Sequence, residues 1–322
     1  MSTSRSELSS SPPLPPQAPQ TVALARQRRR LTALAEPPWL HSEVARRLAE
    51  KLDAILMEPV AWLDWSGRLG GAASGVVQRY PQAQRWVHEP DDLLAQRAAA
   101  DWQAEQASQP KPWWARWKKG ASGPAPILRR LDQFPEGWPQ EGAGMLWANM
   151  SLHASADVDA LAVQWHRVLR TDGFLMCSGL GPDTAKELRW VYDAMGWGLP
   201  TIRFIDMHDL GDALVKAGFA DPVMDMERLT LTWPNAEAML REWQSWGGNV
   251  AGGRFQGCRT PRWRLDLIQA LESGLRRPDG LLGLTVELIY GHAVKPLPKV
   301  AMLPEARVSL EDMRKLVKAR GH

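Results

Sequence analysis

A chain of 322 residues, 44% hydrophobic and 23% charged, is long enough to bury a full core as one large α/β domain or two small ones. Its net charge of +3 allows an acidic partner and does not demand nucleic acid, so no nucleic-acid partner is expected. Two distant cysteines, Cys177 and Cys258, exclude a disulfide framework and argue against a zinc site. No apolar run reaches the ~20 residues that cross a bilayer, so a cytoplasmic protein with no membrane association and no metal is expected.

Residues 1–35 are rich in Ser, Pro, Gln and Arg, and are expected to be a disordered N-terminal arm, in which Arg28, Arg29 and Arg30 read as a solvated run more readily than as a contact for an anionic partner. Order is expected near Pro38, where Val44, Leu48, Leu52 and Ile55 recur at helical spacing. A strand over 60–64 is followed by a glycine-rich turn and a helix to about residue 80. A second strand covers 84–88 and a helix 91–106. Residues 107–143 are full of Pro, Gly and Trp and show no period. Within them Trp113, Trp114 and Trp117 lie among Lys111, Arg116, Lys118 and Lys119, which reads as a half-buried or ligand-facing surface.

The pattern then resumes with a strand over 145–149, a helix over 158–169, a strand over 174–178 and a helix over 184–195. Strand and helix in alternation imply a parallel sheet with helices on both faces. Residues 222–233 and 282–294 instead alternate in the strand period, as an antiparallel edge hairpin would. One folded domain is expected over 36–298, with a partly helical tail over 299–322.

Ligands of open α/β sheets bind beyond the carboxyl ends of strands. The first such end, Leu63-Asp64-Trp65-Ser66-Gly67-Arg68-Leu69-Gly70-Gly71, offers a turn where backbone can approach a ligand, though it lacks the Gly-X-Gly-X-X-Gly of nicotinamide enzymes. The second, Val87-His88-Glu89-Pro90-Asp91, places carboxylates at a strand tip. Asp91 there reads equally as a ribose ligand or a helix N-cap. Asp206 reads as an N-cap followed by Asp209 in the first turn, and His208 between them is undecided. His153 and His166 read as surface or core residues, and no Ser-His-Asp constellation has local support.

Further along, the residues become specific. The strings Met145-Leu-Trp-Ala-Asn149-Met-Ser-Leu-His153, Phe204-Ile-Asp-Met-His-Asp-Leu-Gly211, Pro222-Val-Met-Asp-Met-Glu227 and Glu287-Leu-Ile-Tyr290-Gly-His292 resemble the malonyl-[acyl-carrier protein] O-methyltransferases of biotin synthesis, over roughly residues 37–298. The resemblance implies a Rossmann-like class I methyltransferase fold, a seven-stranded mostly parallel sheet with an antiparallel edge hairpin. It also implies S-adenosylmethionine as methyl donor and, as acceptor, the free carboxylate of a malonyl thioester on acyl carrier protein. A carboxylate is already ionised near pH 7, so no base is required. Arg189, Arg203 and Tyr290 are the candidates for holding it, and the basic stretches 111–119 and 254–264 the candidates for receiving the acidic carrier.

By the same resemblance the donor would lie on Asp64, Ser66, Arg68, Gly70, His88, Glu89 and Asn149. Three of these depart from the family. The family's glycines after Asp64 fall at Ser66, Arg68 and Gly70, so only the last survives, and the acid ending the second strand falls at His88 with Glu89 one place on. An active methyltransferase with an altered donor turn is the favoured expectation. The alternative is a non-catalytic relative that binds a carrier protein or a partner enzyme, and whether Arg68 fills the donor site divides the two.

Overall fold

The computed structural model describes residues 17, 19–71, 73–89, 92–108, 127–128, 137–246 and 248–298. Among these residues seven strands form one sheet: β1 (Ala61–Trp65), β2 (Gln84–His88), β3 (Ile127–Leu128), β4 (Ala143–Ala148), β5 (Leu169–Leu180), β6 (Ala220–Trp233) and β7 (Leu282–Val294), in the order β3-β2-β1-β4-β5-β7-β6. β1 pairs in parallel with β2 and β4, and β3 and β5 extend the parallel set on either side. β7 runs antiparallel between β5 and β6, so the expected edge hairpin closes the sheet. The central strands are buried on both faces and read as apolar runs. β6, at the edge, alternates between half-buried and exposed residues along most of its length.

Helices cover both faces. On one, α2 (Trp39–Glu50) and α3 (Ser74–Arg79) pack on Trp62, Met145, Trp147, Phe174 and Val286. On the other, α5 (Val158–Val168) and α7 (Met207–Lys216) pack Leu161, Trp165, Leu210 and Leu214 on Leu63, Leu146, Leu175 and Ile289. Trp62 and Leu63 therefore point to opposite faces, as successive strand residues must. A third cluster joins α6 (Lys186–Ala194), α8 (Ala236–Ser245) and α9 (Pro261–Gly274) to Leu282 and Leu284 of β7. α4 (Asp92–Ser108) follows β2.

Several helices start where a polar side chain takes an orphan backbone N–H. Asp157 accepts from Ala160 (2.9 Å) at α5, Asn235 from Ala238 (2.9 Å) at α8, and Thr260 from Trp263 (3.1 Å) at α9, where Pro261 opens the helix. Asp206 accepts from His208 (2.6 Å) and Asp209 (3.3 Å), which is the capping role its sequence suggested.

The expectation of disorder through residue 35 is corrected over α1 (Thr21–Thr32). Ala23, Leu24, Gln27 and Leu31 share a buried face of this helix. Gln20 N–H donates to the Val250 carbonyl (2.8 Å) and Gln27 Nε2 to that of Trp246 (3.4 Å). The segment is too polar to order itself, and the loop after α8 supplies the apolar surface it lacks. Residues 1–16, the 299–322 tail, and the Trp-rich stretch from 109 to 126 lie outside the described residues.

Candidate functional site

The turn after β1 departs from a glycine loop in a specific way. Ser66 adopts φ +55, a left-handed conformation that suits glycine, and its N–H donates to the His88 carbonyl (2.8 Å). Its own carbonyl accepts from Leu69 (3.0 Å) and Gly70 (2.7 Å). Arg68 N–H donates to Glu89 Oε1 (2.7 Å), and the Arg68 guanidinium reaches across to the carbonyls of Leu34 (2.8 Å) and Ala35 (3.2 Å). The side chain of His88 stacks on Trp65, ring centroids 4.0 Å apart.

Asp64 is buried beneath this turn, ion-paired to Arg85 at 2.5 Å. Burial pushes its carboxyl up, and the Arg85 guanidinium opposes that rise. At the tip of β4, Asn149 Nδ2 donates to the carbonyls of His41 (2.8 Å) and Gly70, while its Oδ1 accepts from Ser178 Oγ (2.6 Å). His41 Nδ1 meets the Leu69 carbonyl at 2.6 Å, so the start of α2 is fastened to the turn from both sides. Gly71, at φ +83, lies against the His41 carbonyl and Ser42 N, where a Cβ would come to 2.8 Å.

Beside this end lies a cleft of about 870 Å³, beyond the carboxyl ends of β4 and β5. Its lining includes Leu152, His153, Leu180, Ile202, Arg203 and Phe204. Asp157, Asp159, Asp206, Asp209 and Asp212 also line it, with Lys216, which is ion-paired to Asp159. His153 and His41 meet edge to face at 5.8 Å. Burial holds His41 down at about 4; burial and the neighbouring His41 hold His153 at about 3, so both are neutral at pH 7.

No protein-family model matches the chain. The malonyl-[acyl-carrier protein] O-methyltransferase of Gallionella capsiferriformans is 37% identical over 264 residues, covering 81% of this chain and 86% of that protein. Its counterpart in Laribacter hongkongensis is 37% identical over 285 residues, covering 88% and 90%. The chain belongs to the malonyl-[acyl-carrier protein] O-methyltransferase family. Among solved structures, the YcgJ protein of Bacillus subtilis superposes with a TM-score of 0.51 at 11% identity, over 78% of this chain and 99% of that one, a likeness of fold alone.

For a malonyl-[acyl-carrier protein] O-methyltransferase, the residues at the strand tips have the right chemistry for S-adenosylmethionine: an acid at the end of β2, Asn149 at the end of β4 and a tight turn between. They do not fit it in space as they stand. Glu89 is fully buried, Asn149 is 1% exposed and Arg68 is 7% exposed. Their polar atoms serve the turn and residues 34–41.

The three acceptor candidates separate. Arg203 lines the cleft. Arg189 donates instead to the carbonyls of Thr184 (2.8 Å) and Pro182 (2.5 Å), so it holds the β5–α6 connection at the cleft edge. Tyr290 lies apart from the cleft lining, its hydroxyl donating to Glu227 (3.3 Å) on the adjoining strand with Lys51 over its ring. Sequence reasoning missed His41, which reads only as a helix residue, and Arg85, which lies in mid-strand. It assigned His153 to the surface or core, whereas it lines the cleft. Only its place four residues after Asn149, just past a strand tip, marked it. Asp91 and the stretch 111–119 lie outside the described residues.

Proposed function

We propose that this chain is an S-adenosylmethionine-dependent O-methyltransferase that esterifies the free carboxylate of a malonyl thioester carried by acyl carrier protein, an early step of biotin synthesis in the cytoplasm. The observation that carries the reading is identity of 37% to proteins of that activity over most of both chains. The cleft supports it, since it opens at the carboxyl ends of β4 and β5, where a parallel sheet presents its ligands.

The chemistry asks little of the protein's own acids and bases. The malonyl carboxylate is ionised near pH 7, so no proton is removed before oxygen attacks. The chain's part is to hold that oxygen in line and exclude water. Arg203, whose guanidinium fork matches a carboxylate, lies in the cleft lining and is the residue assigned to the malonyl carboxylate. His153 stays neutral and adds no competing charge.

The test is methyl transfer from labelled S-adenosylmethionine to malonyl-carrier protein, read by mass of the carrier, beside calorimetric titration with the donor and its demethylated product. A gain of one methyl group on the carrier supports the reading. A folded protein that binds neither donor nor product at millimolar concentration sinks it, and leaves a non-catalytic relative that binds a carrier protein or a partner enzyme.

A further inference from the structure

A second pocket, of about 260 Å³, lies between α1, the end of α6 and the start of α9, and it has the opposite character to the acidic cleft. Arg26 and Arg30 face it from α1, and Arg254 and Arg259 from the loop before α9. Among the described residues no acid is in its lining and none of the four arginines is ion-paired. Like charges gathered around one cavity without a counter-charge repel one another, and an anion seated among them removes that repulsion.

The pocket is built rather than loosely solvated. The Arg259 guanidinium lies 4.0 Å from the Phe255 ring centroid and 4.4 Å from that of Trp263, and Nη2 donates to the Trp197 carbonyl (3.0 Å). Arg254 Nη2 donates to Gln20 (3.0 Å), and its Nε is buried with no hydrogen-bond partner. Tyr192, Trp197 and Trp263 form an edge-to-face cluster along the wall. Guanidinium forks match the oxygens of a phosphate, and an aromatic wall takes the body attached to it.

We propose that this pocket binds a phosphate ester, with the phosphate among Arg26, Arg30, Arg254 and Arg259 and its organic body against Tyr192, Trp197 and Trp263. The pocket adjoins the cleft through one short run of chain, since Leu199 lines the pocket while Ile202 and Arg203 line the cleft. Two sources carry this chemistry, a free phosphate ester and the phosphopantetheine arm of a carrier protein, and only the second rests on the function proposed above.

Calorimetry on the full chain, without methyl donor, separates these cases. The wild type is titrated with 4′-phosphopantetheine, pantetheine and inorganic pyrophosphate, and with carrier protein with and without its phosphopantetheine arm. The phosphorylated arm should bind about tenfold or more tighter than pantetheine, pyrophosphate should compete with it, and the affinity should weaken with added salt. The double variant Arg26→Glu/Arg30→Glu, on the exposed side of α1, should abolish the difference, and Arg26→Gln/Arg30→Gln should reduce it. A preference for the armed carrier, lost in the same variants, identifies the carrier as source. Equal binding of both carriers alongside tight pyrophosphate identifies a free phosphate. Phosphopantetheine and pantetheine binding alike, or a preference that survives both double variants, overturns the site. No turnover is read, so failure here leaves the methyl-transfer assay untouched.

Discussion

The backbone N–H of Arg68 donates to the buried carboxylate of Glu89 at 2.7 Å, which ties the turn after β1 to the tip of β2. The same residue's guanidinium donates to the carbonyls of Leu34 and Ala35, so one residue joins the strand-tip turn to the N-terminal segment, by its backbone on one side and its side chain on the other.

Arg68→Gly should loosen that join. The substitution restores a family glycine and removes the contacts to residues 34 and 35. Affinity for S-adenosylhomocysteine should rise about tenfold or more by calorimetry. Stability should fall by roughly 1–3 kcal/mol for the lost charge-assisted hydrogen bonds. Unchanged affinity in a folded variant would show that Arg68 does not govern donor access.

Gly71→Ala tests how firmly α2 rests on the turn. At φ +83 with a Cβ 2.8 Å from the His41 carbonyl, alanine meets both backbone strain and backbone atoms. Gly196→Ala is the control, since Gly196 has φ +66 and nothing within 4 Å of its added Cβ. The control should cost roughly 1–2 kcal/mol from strain alone, and Gly71→Ala clearly more, by urea unfolding. Equal losses would mean that α2 shifts freely.

Stability should also depend on pH below neutrality. Burial holds His41 at about 4 and His88 at about 4; burial and the neighbouring His41 hold His153 at about 3, while the unfolded chain takes up these protons near 6.5. The unfolded state therefore binds more protons between those values, and stability falls as pH drops from about 6.5 to about 4. The urea midpoint should fall from pH 7 to pH 5, and less so in His153→Gln. A flat midpoint over that interval would contradict neutral burial of these rings.

Arg203→Ala should raise KM for the malonyl carrier about tenfold or more, with a smaller effect on kcat, because the contact is to a carboxylate already ionised before reaction. Arg203→Lys should recover part of the loss. An unchanged KM with an intact fold would place the acceptor elsewhere in the cleft.

Some of the fold was legible because it is local. Trp62 and Leu63 pointing to opposite faces, Leu161 and Trp165 at helical spacing, and the alternation from Leu282 to Tyr290 are periodicities that a sequence carries openly. The Asp206 cap was legible for the same reason, since donor and acceptor lie within three residues. α1 was not. Its arginines mark it as solvent-loving, and the surface that orders it belongs to Trp246 and Val250, more than two hundred residues away.

The sequence by itself determined the alternation of strands and helices, the antiparallel edge and the family, because these rest on residue order and near-neighbour spacing. Only the tertiary structure decided what the candidate residues do. Arg203 lines a cleft, Arg189 holds backbone carbonyls and Tyr290 lies beside Glu227, although all three looked alike as candidates. The four arginines of the second pocket come from positions 26, 30, 254 and 259. Their shared field exists only once the chain has folded, because charge acts through space while the sequence records only order along the chain.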